Sequence, residues 1–311
     1  MEWRRLGRTG LRTSSVGLGT MTWGRDTDEH EAAEQLKVFL DAGGSLLDTA
    51  ATYSDGGALD IIGGLLREEV DRDELVIAAR SGVAHGRVDA SRGALLRSLD
   101  ETLRRLGTDH VDVWLVQAPD PGTPAHETAS TLAHAVRSGR ARYVGLANHP
   151  AWQVARLATL LEGDPGLACV QTEMSLLNRS AEAELLPAAE ALGVGLIAWS
   201  PLGRGVLSAK YRHSVPADSR AASPHLRGFV EPYLTAEARR VVEAVATAAD
   251  GLGRAPVEVA LAWARDAPGV SSVVVGARTP AQLRGSLAAV DLELPDEIRD
   301  VLDEITTPTP R

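Results

Sequence analysis

Eight short apolar runs recur along the 311 residues, and between them lie stretches whose apolar residues repeat at helical spacing. The candidate strands are Ser15–Gly19, Leu46–Asp48, Leu75–Ala78, Val111–Val116, Tyr143–Leu146, Leu167–Gln171, Gly195–Trp199 and Ser272–Val275. Each is β-branched or leucine-rich and carries apolar residues at both parities, as strands buried on two faces do. The intervening helices have recognisable ends. Ala33, Leu36 and Leu40 form one stripe that stops at Gly43-Gly44, and Leu95, Leu99, Leu103 and Leu106 form another between a Ser91 cap and Gly107. Thr235 is placed to cap a helix carrying Val241, Val245 and Leu252, and Pro256 suits the first turn of the next.

Such an alternation with no linker-like stretch predicts one domain over residues 1–311, a (β/α)8 TIM barrel. Its rival, a doubly wound sheet, needs a glycine-rich turn after the first strand, and GLGTMTWG lacks the third glycine at the required spacing. Ahead of the first strand, Arg8-Thr9-Gly10 reads as a hairpin turn, so the barrel is expected to carry an N-terminal β-hairpin plug.

A net charge of −10 with interspersed signs argues against a nucleic-acid partner. No apolar run is long enough for a bilayer span, and MEWRRLGRTG is not a signal peptide, so a cytoplasmic protein without a membrane partner is expected. Cys169 stands alone in an apolar run and reads as a buried, inert thiol. HExxH, paired CxxC, GxSxG and GxxxxGK[ST] are all missing, and the histidines are scattered, so no metal site is expected.

In a barrel, chemistry gathers where strands end. Those ends supply Thr20, Asp48, Arg80, Gln117, Asn148, Gln171, Ser200 and Arg278. Asp48 either caps the next helix or works with Tyr53, five residues on in DTAATY. Arg80, two residues past its predicted strand, is either a surface cation or a buried partner for Asp48. In the second case its charge would ease loss of the Tyr53 proton. The segment from Gly203 to Pro232 is long for a loop and carries Lys210, Arg212, His213, Arg220 and Arg227, which suggests an anionic ligand. Trp23, Tyr53, His85 and Trp114 are expected around the pocket.

The chain resembles the aldo-keto reductases in the segments RRLGRTGLRTSSVGLGT, GGSLLDTAATYSDGG, SLDETLRRLGTDHVDVWLVQAPD, GRARYVGLANH, VQTEMSLLNR, GLIAWSPLGRGVLSAKY and VVVGARTPAQL. The resemblance implies a barrel that binds NADP(H), less often NAD(H), and reduces a carbonyl group of a small molecule. Of the family's catalytic aspartate, tyrosine, lysine and histidine, Asp48 and Tyr53 match the first two. Arg80 stands at the lysine position and Gln117 at the histidine position. The cofactor positions it implies are Thr20, Asn148, Gln171, Trp199, Ser200, Leu202, Gly205, Gly276, Arg278, Thr279 and Gln282. Ala147 replaces a usual serine, Leu59 a usual glutamate, and Gly285-Ser286 a common Glu-Asn pair.

Arginine keeps a positive charge beside Tyr53 but does not give up its proton, and Gln117 offers an amide hydrogen bond without titrating near neutrality. The expected function is therefore an oxidoreductase acting on a carbonyl or an activated C=C or C=N group, with Tyr53 as proton donor. The alternatives are a non-redox step on a bound nucleotide, such as dehydration, isomerisation or cyclisation, and a non-catalytic nucleotide sensor. Substrate identity and oligomeric state are left open by the sequence.

Overall fold

The structure, a computed structural model, describes residues 1–163, 166–217 and 219–307. Eight parallel strands close into a barrel in chain order: β1 (Val16–Gly19), β2 (Leu46–Ala50), β3 (Val76–Ser81), β4 (Val111–Val116), β5 (Ala141–Ala147), β6 (Leu167–Glu173), β7 (Gly195–Trp199) and β8 (Val270–Val275), which pairs back with β1. The helices are α1 (Glu29–Asp41), α2 (Gly57–Glu68), α3 (Arg92–Leu106), α4 (Ala125–Arg137), α5 (Ala151–Leu160), α6 (Leu185–Leu192), the single turn α7 (Arg227–Val230), α8 (Ala236–Leu252), α9 (Pro256–Arg265), α10 (Pro280–Leu287) and α11 (Asp296–Thr306). This is the (β/α)8 TIM barrel that the alternation predicts.

Strand side chains alternate between two layers because successive Cβ atoms point to opposite faces. Leu46, Ala78, Val113, Leu115, Cys169, Ile197 and Val274 fill the barrel interior, and Leu6 joins them from the amino-terminal end. The other parity, Leu47, Ile77, Trp114 and Leu196 among them, packs outward against the helices in the larger core.

Leu6 is the tip of the predicted plug. Strands Trp3–Arg5 and Arg12–Ser14 pair antiparallel, and Thr9 closes the turn by donating to the Leu6 carbonyl at 2.8 Å. Gly7 makes the close approach possible: its φ is +60°, and a Cβ there would lie 2.6 Å from the Gly193 carbonyl oxygen.

Helix ends follow the sequence with one exception. Thr235 accepts from the Ala238 N–H at 3.1 Å, Gly107 ends α3 in the left-handed conformation, and Pro256 occupies the first turn of α9. Ser91 does not cap α3 through its side chain; the Arg92 N–H is taken instead by Glu127 Oε1 on α4 at 2.9 Å. Several strands also run further than predicted. β2 continues to Ala50 and β3 to Ser81, so Asp48 and Arg80 sit within strands rather than at or past their ends. Both are inward-facing polar residues on strands paired through Ala50 and Arg80, and pairing holds the backbone extended there whatever the side chain.

Candidate active site

Inward parity carries Asp48, Arg80 and Gln171 into one layer just above the apolar filling, since each lies two residues beyond Leu46, Ala78 or Cys169. Asp48 and Arg80 are buried, with side chains 3% and 8% exposed, and Arg80 Nη2 donates to Asp48 Oδ2 at 2.9 Å. Gln171 Nε2 donates to Asp48 Oδ1 at 2.6 Å. Thr20, fully buried, gives both its amide and its hydroxyl to the Asp48 carbonyl, at 3.0 and 3.1 Å, and so fixes that strand edge. Asp48 is therefore not a helix cap, and Arg80 is not a surface cation.

Tyr53 returns over this layer through a tight turn. Ser54 and Asp55 both take positive φ, 51° and 52°, and the Ser54 hydroxyl anchors the turn by donating to the Trp23 carbonyl at 2.6 Å. Arg80 Nη2 hydrogen-bonds the Tyr53 hydroxyl, and its guanidinium carbon lies 5.1 Å from the ring centroid. Burial pushes the Tyr53 phenol above its ordinary value; Arg80 pulls it back, and the Asp48 charge adds to the rise. The field of Arg80 thus acts in the predicted direction but is outweighed by desolvation. Burial likewise raises the Asp48 carboxyl against the pull of Arg80 and Gln171. Burial works against the Arg80 charge, yet Asp48 and Tyr53 hold it above the usual guanidinium value. Cys169 lies beneath, its thiol pushed up to about 12 by burial and the Asp48 charge.

A cavity of about 490 Å³ opens above Asp48, Tyr53 and Arg80. Trp199, Ser200, Leu202 and Gly205 line it at and after the end of β7, Gly276, Arg278 and Gln282 after the neighbouring β8, and Asn148 after β5. Asn148 and Ser200 leave their strands with φ of 60° and 52°. Trp199 Nε1 donates to Asn148 Oδ1 at 3.0 Å, and Asn148 Nδ2 donates to the Gln117 carbonyl at 2.9 Å. Gln282 Oε1 accepts from the Arg278 amide at 3.0 Å.

Three predicted residues stand behind the wall rather than in it. Thr20 and Gln171 are buried under the floor, and Thr279 caps α10 by accepting the Gln282 N–H at 3.3 Å. Gln117 lies at the side, half-buried, its Nε2 3.5 Å from the Thr52 hydroxyl. The loop cations divide. Lys210 and Arg220 line the cavity with Arg278, whereas Arg212 pairs with Glu243 at 2.9 Å and His213 and Arg227 are exposed. Burial and the neighbouring Arg278 lower the Arg220 guanidinium from its usual value.

The aromatic expectations need correcting. Trp23 and Trp114 are fully buried in the outer core, donating to Gln35 and Ser81 at 3.1 and 3.0 Å, and His85 is exposed on a small hairpin. Trp114 has the opposite parity to Gln117, which sends it outward. Arg204 was not anticipated. It forms a two-point ion pair with Glu173, 2.7 and 2.8 Å, lies 4.2 Å from the Phe229 ring centroid and 6.0 Å from that of Trp199, and backs the cavity wall. Its only sequence sign is a lone arginine between two glycines, opposite an inward glutamate 31 residues earlier.

A closed barrel with a buried acid and arginine beside a half-buried tyrosine, under a cation-lined cavity at the strands' carboxyl ends, defines an enzyme of the barrel class. The chain belongs to the aldo/keto reductase family, whose sequence profile matches residues 15–307. It is 36% identical to a Bacillus subtilis (strain 168) protein described as the uncharacterized oxidoreductase YrpG, over 98% of this chain and 96% of that one. It is 33% identical to a probable voltage-gated potassium channel subunit beta of Oryza sativa subsp. japonica, over 98% of this chain and 95% of that protein. The family is one of oxidoreductases that use a nicotinamide nucleotide on small molecules.

Proposed function

We propose that this protein reduces a carbonyl or activated double bond of a small organic substrate with NADP(H), Tyr53 giving the proton. The observation that carries the reading is the contact chain Gln171–Asp48–Arg80–Tyr53, which holds a half-buried phenol at the floor of the cavity. A phenol raised above its ordinary value is protonated at neutral pH and available as an acid. Arg80 stabilises the phenolate left after transfer, and Asp48 keeps Arg80 in place.

The cavity suits a nicotinamide nucleotide. Asn148, which lines the cavity, retains one amide N–H for the carboxamide oxygen. Trp199 offers a ring for stacking. Ser200, Leu202 and Gly205 would cradle a pyrophosphate, with Gly276, Arg278, Thr279 and Gln282 around the adenosine. Lys210, Arg220 and Arg278 line the cavity as cations, which favours the extra phosphate of NADP(H) over NAD(H). Bound there, the reduced nucleotide supplies the hydride.

Fluorescence titration should give tighter binding of NADPH than of NADH. Tyr53→Phe should lower kcat for carbonyl reduction by about 10²-fold or more while leaving NADPH affinity within about twofold. Unchanged turnover in that variant would remove Tyr53 from the reaction.

A further inference from the structure

A second cavity, of about 270 Å³, opens between the β4–α4 connection and the start of α5 and shares no lining residue with the nucleotide cavity. Ala90, Val116 and Leu157 give it an apolar side. Two of its polar residues are deeply buried, His149 at 7% exposure and Thr128 at 6%. His149 Nδ1 lies 2.8 Å from the Ala147 carbonyl oxygen. Among the described residues, His149 Nε2 and the Thr128 hydroxyl have no partner. Buried polar groups left in this way call for a ligand or water.

A carbonyl oxygen only accepts, so Nδ1 of His149 carries the hydrogen, and in the neutral ring Nε2 is an acceptor. Burial pushes this imidazole below its ordinary value, against the pull of the Ala147 carbonyl, and so favours the neutral ring. Asp120 also lines the cavity, but its oxygens are taken. Oδ1 accepts from the Gly122 N–H at 2.8 Å, and Oδ2 from the Ala90 N–H and the Thr123 hydroxyl at 2.9 and 2.7 Å. Trp152, 62% exposed, and the exposed Arg156 stand at the rim. Helices α4 and α5 both begin beside the cavity, at Pro124 and Pro150, and no side chain caps either one. Helix starts of this kind favour negative charge.

We propose that this cavity is a second binding site, for a small aromatic hydroxy acid. The ligand's hydroxyl donates to His149 Nε2 and accepts from the Thr128 hydroxyl. Its ring lies against Trp152 and the apolar side, and its carboxylate meets Arg156 at the mouth. An ether or ketone oxygen supplies no donor for Nε2, and an ammonium group would face Arg156 and two positive helix ends. At this volume, just under the roughly 300–1,000 Å³ of drug-sized ligand pockets, one ring with two substituents is a suitable size. The site stands on its own residues and does not depend on the reductase reading.

Calorimetric titration of the full chain with meta- and para-hydroxybenzoate tests this. At least one isomer should bind with a Kd below about 1 mM. It should bind at least about fivefold more tightly than benzoate, which leaves His149 Nε2 without a donor. Thr128→Val should weaken binding about fivefold, and Arg156→Leu about threefold, the smaller effect because Arg156 is exposed. Histidine-selective nitrogen NMR of the wild type locates the ligand without a variant: the His149 Nε2 resonance should move on saturation. Benzoate binding as tightly as the hydroxy acids would overturn the proposal. So would an unmoved His149 resonance, affinities unchanged in both folded variants, or no binding of either isomer at about 10 mM.

Discussion

At the scale of single residues, the unusual group is the buried guanidinium of Arg80 between a carboxylate and a phenol. Arg80 is charged at every accessible pH and shares one nitrogen, Nη2, between Asp48 and Tyr53. Replacing it with methionine would leave a buried carboxylate without its counter-ion, a change that typically costs about 3–5 kcal/mol. Arg80→Met should therefore show a lower urea midpoint as well as lost activity, and an unchanged midpoint would mean that Asp48 is already neutral. The proposed proton donor has a separate signature. If Tyr53 gives the proton, reduction needs the protonated phenol, and protonation is lost only as pH rises through the Tyr53 value, which burial places above the ordinary value of about 10. Arg80 and Gln117 do not titrate near neutrality. The rate of reduction should thus stay level between about pH 6 and about pH 9. A loss of rate beginning near pH 8 in a pH–rate profile would assign the proton to another group.

At the scale of elements, the barrel was legible because its eight apolar runs carry both parities, and the hairpin because Arg8-Thr9-Gly10 reads as a turn. What misled the sequence reading were inward polar residues. Ending strands at the first polar side chain shortened β2 and β6, and β3 was stopped just before Ala79, although parity alone would have carried Asp48, Arg80 and Glu173 inward with Leu46, Ala78 and Cys169. The same parity would have sent Trp114 outward. Arg204 was hidden for a different reason: its pairing with Glu173 and its packing on Phe229 and Trp199 join three separate segments, and no local pattern encodes that. The plug depends on Gly7. A methyl group at Gly7 would strain a backbone at φ +60° and meet the Gly193 oxygen and Gly195 nitrogen at 2.6 Å. Gly7→Ala should therefore destabilise the protein by at least about 2 kcal/mol by chemical denaturation. Because the plug lies at the amino-terminal end of the strands, NADPH affinity measured in native buffer should be unchanged.

At the scale of the whole molecule, a chain of net charge −10 concentrates Lys210, Arg220 and Arg278 along one cavity. The global field repels an anionic nucleotide, and the local field attracts it at short range. Near 0.1 M salt the screening length is about 10 Å, so added salt suppresses the distant repulsion first and the contact attraction later. The extra phosphate of NADPH carries up to about two negative charges, whereas NADH lacks it. Two comparisons separate the local from the global contribution. Between about 0.05 and 0.5 M salt, the Kd for NADPH should rise several-fold more steeply than that for NADH. Arg220→Gln should reduce this difference in slope, because Arg220 sits beside Arg278 in the same wall with its guanidinium partly desolvated. Parallel salt dependences for the two nucleotides would mean that these cations do not meet the extra phosphate, and the preference for NADP(H) would have to be given up while the barrel and the Tyr53 assembly stood as they are.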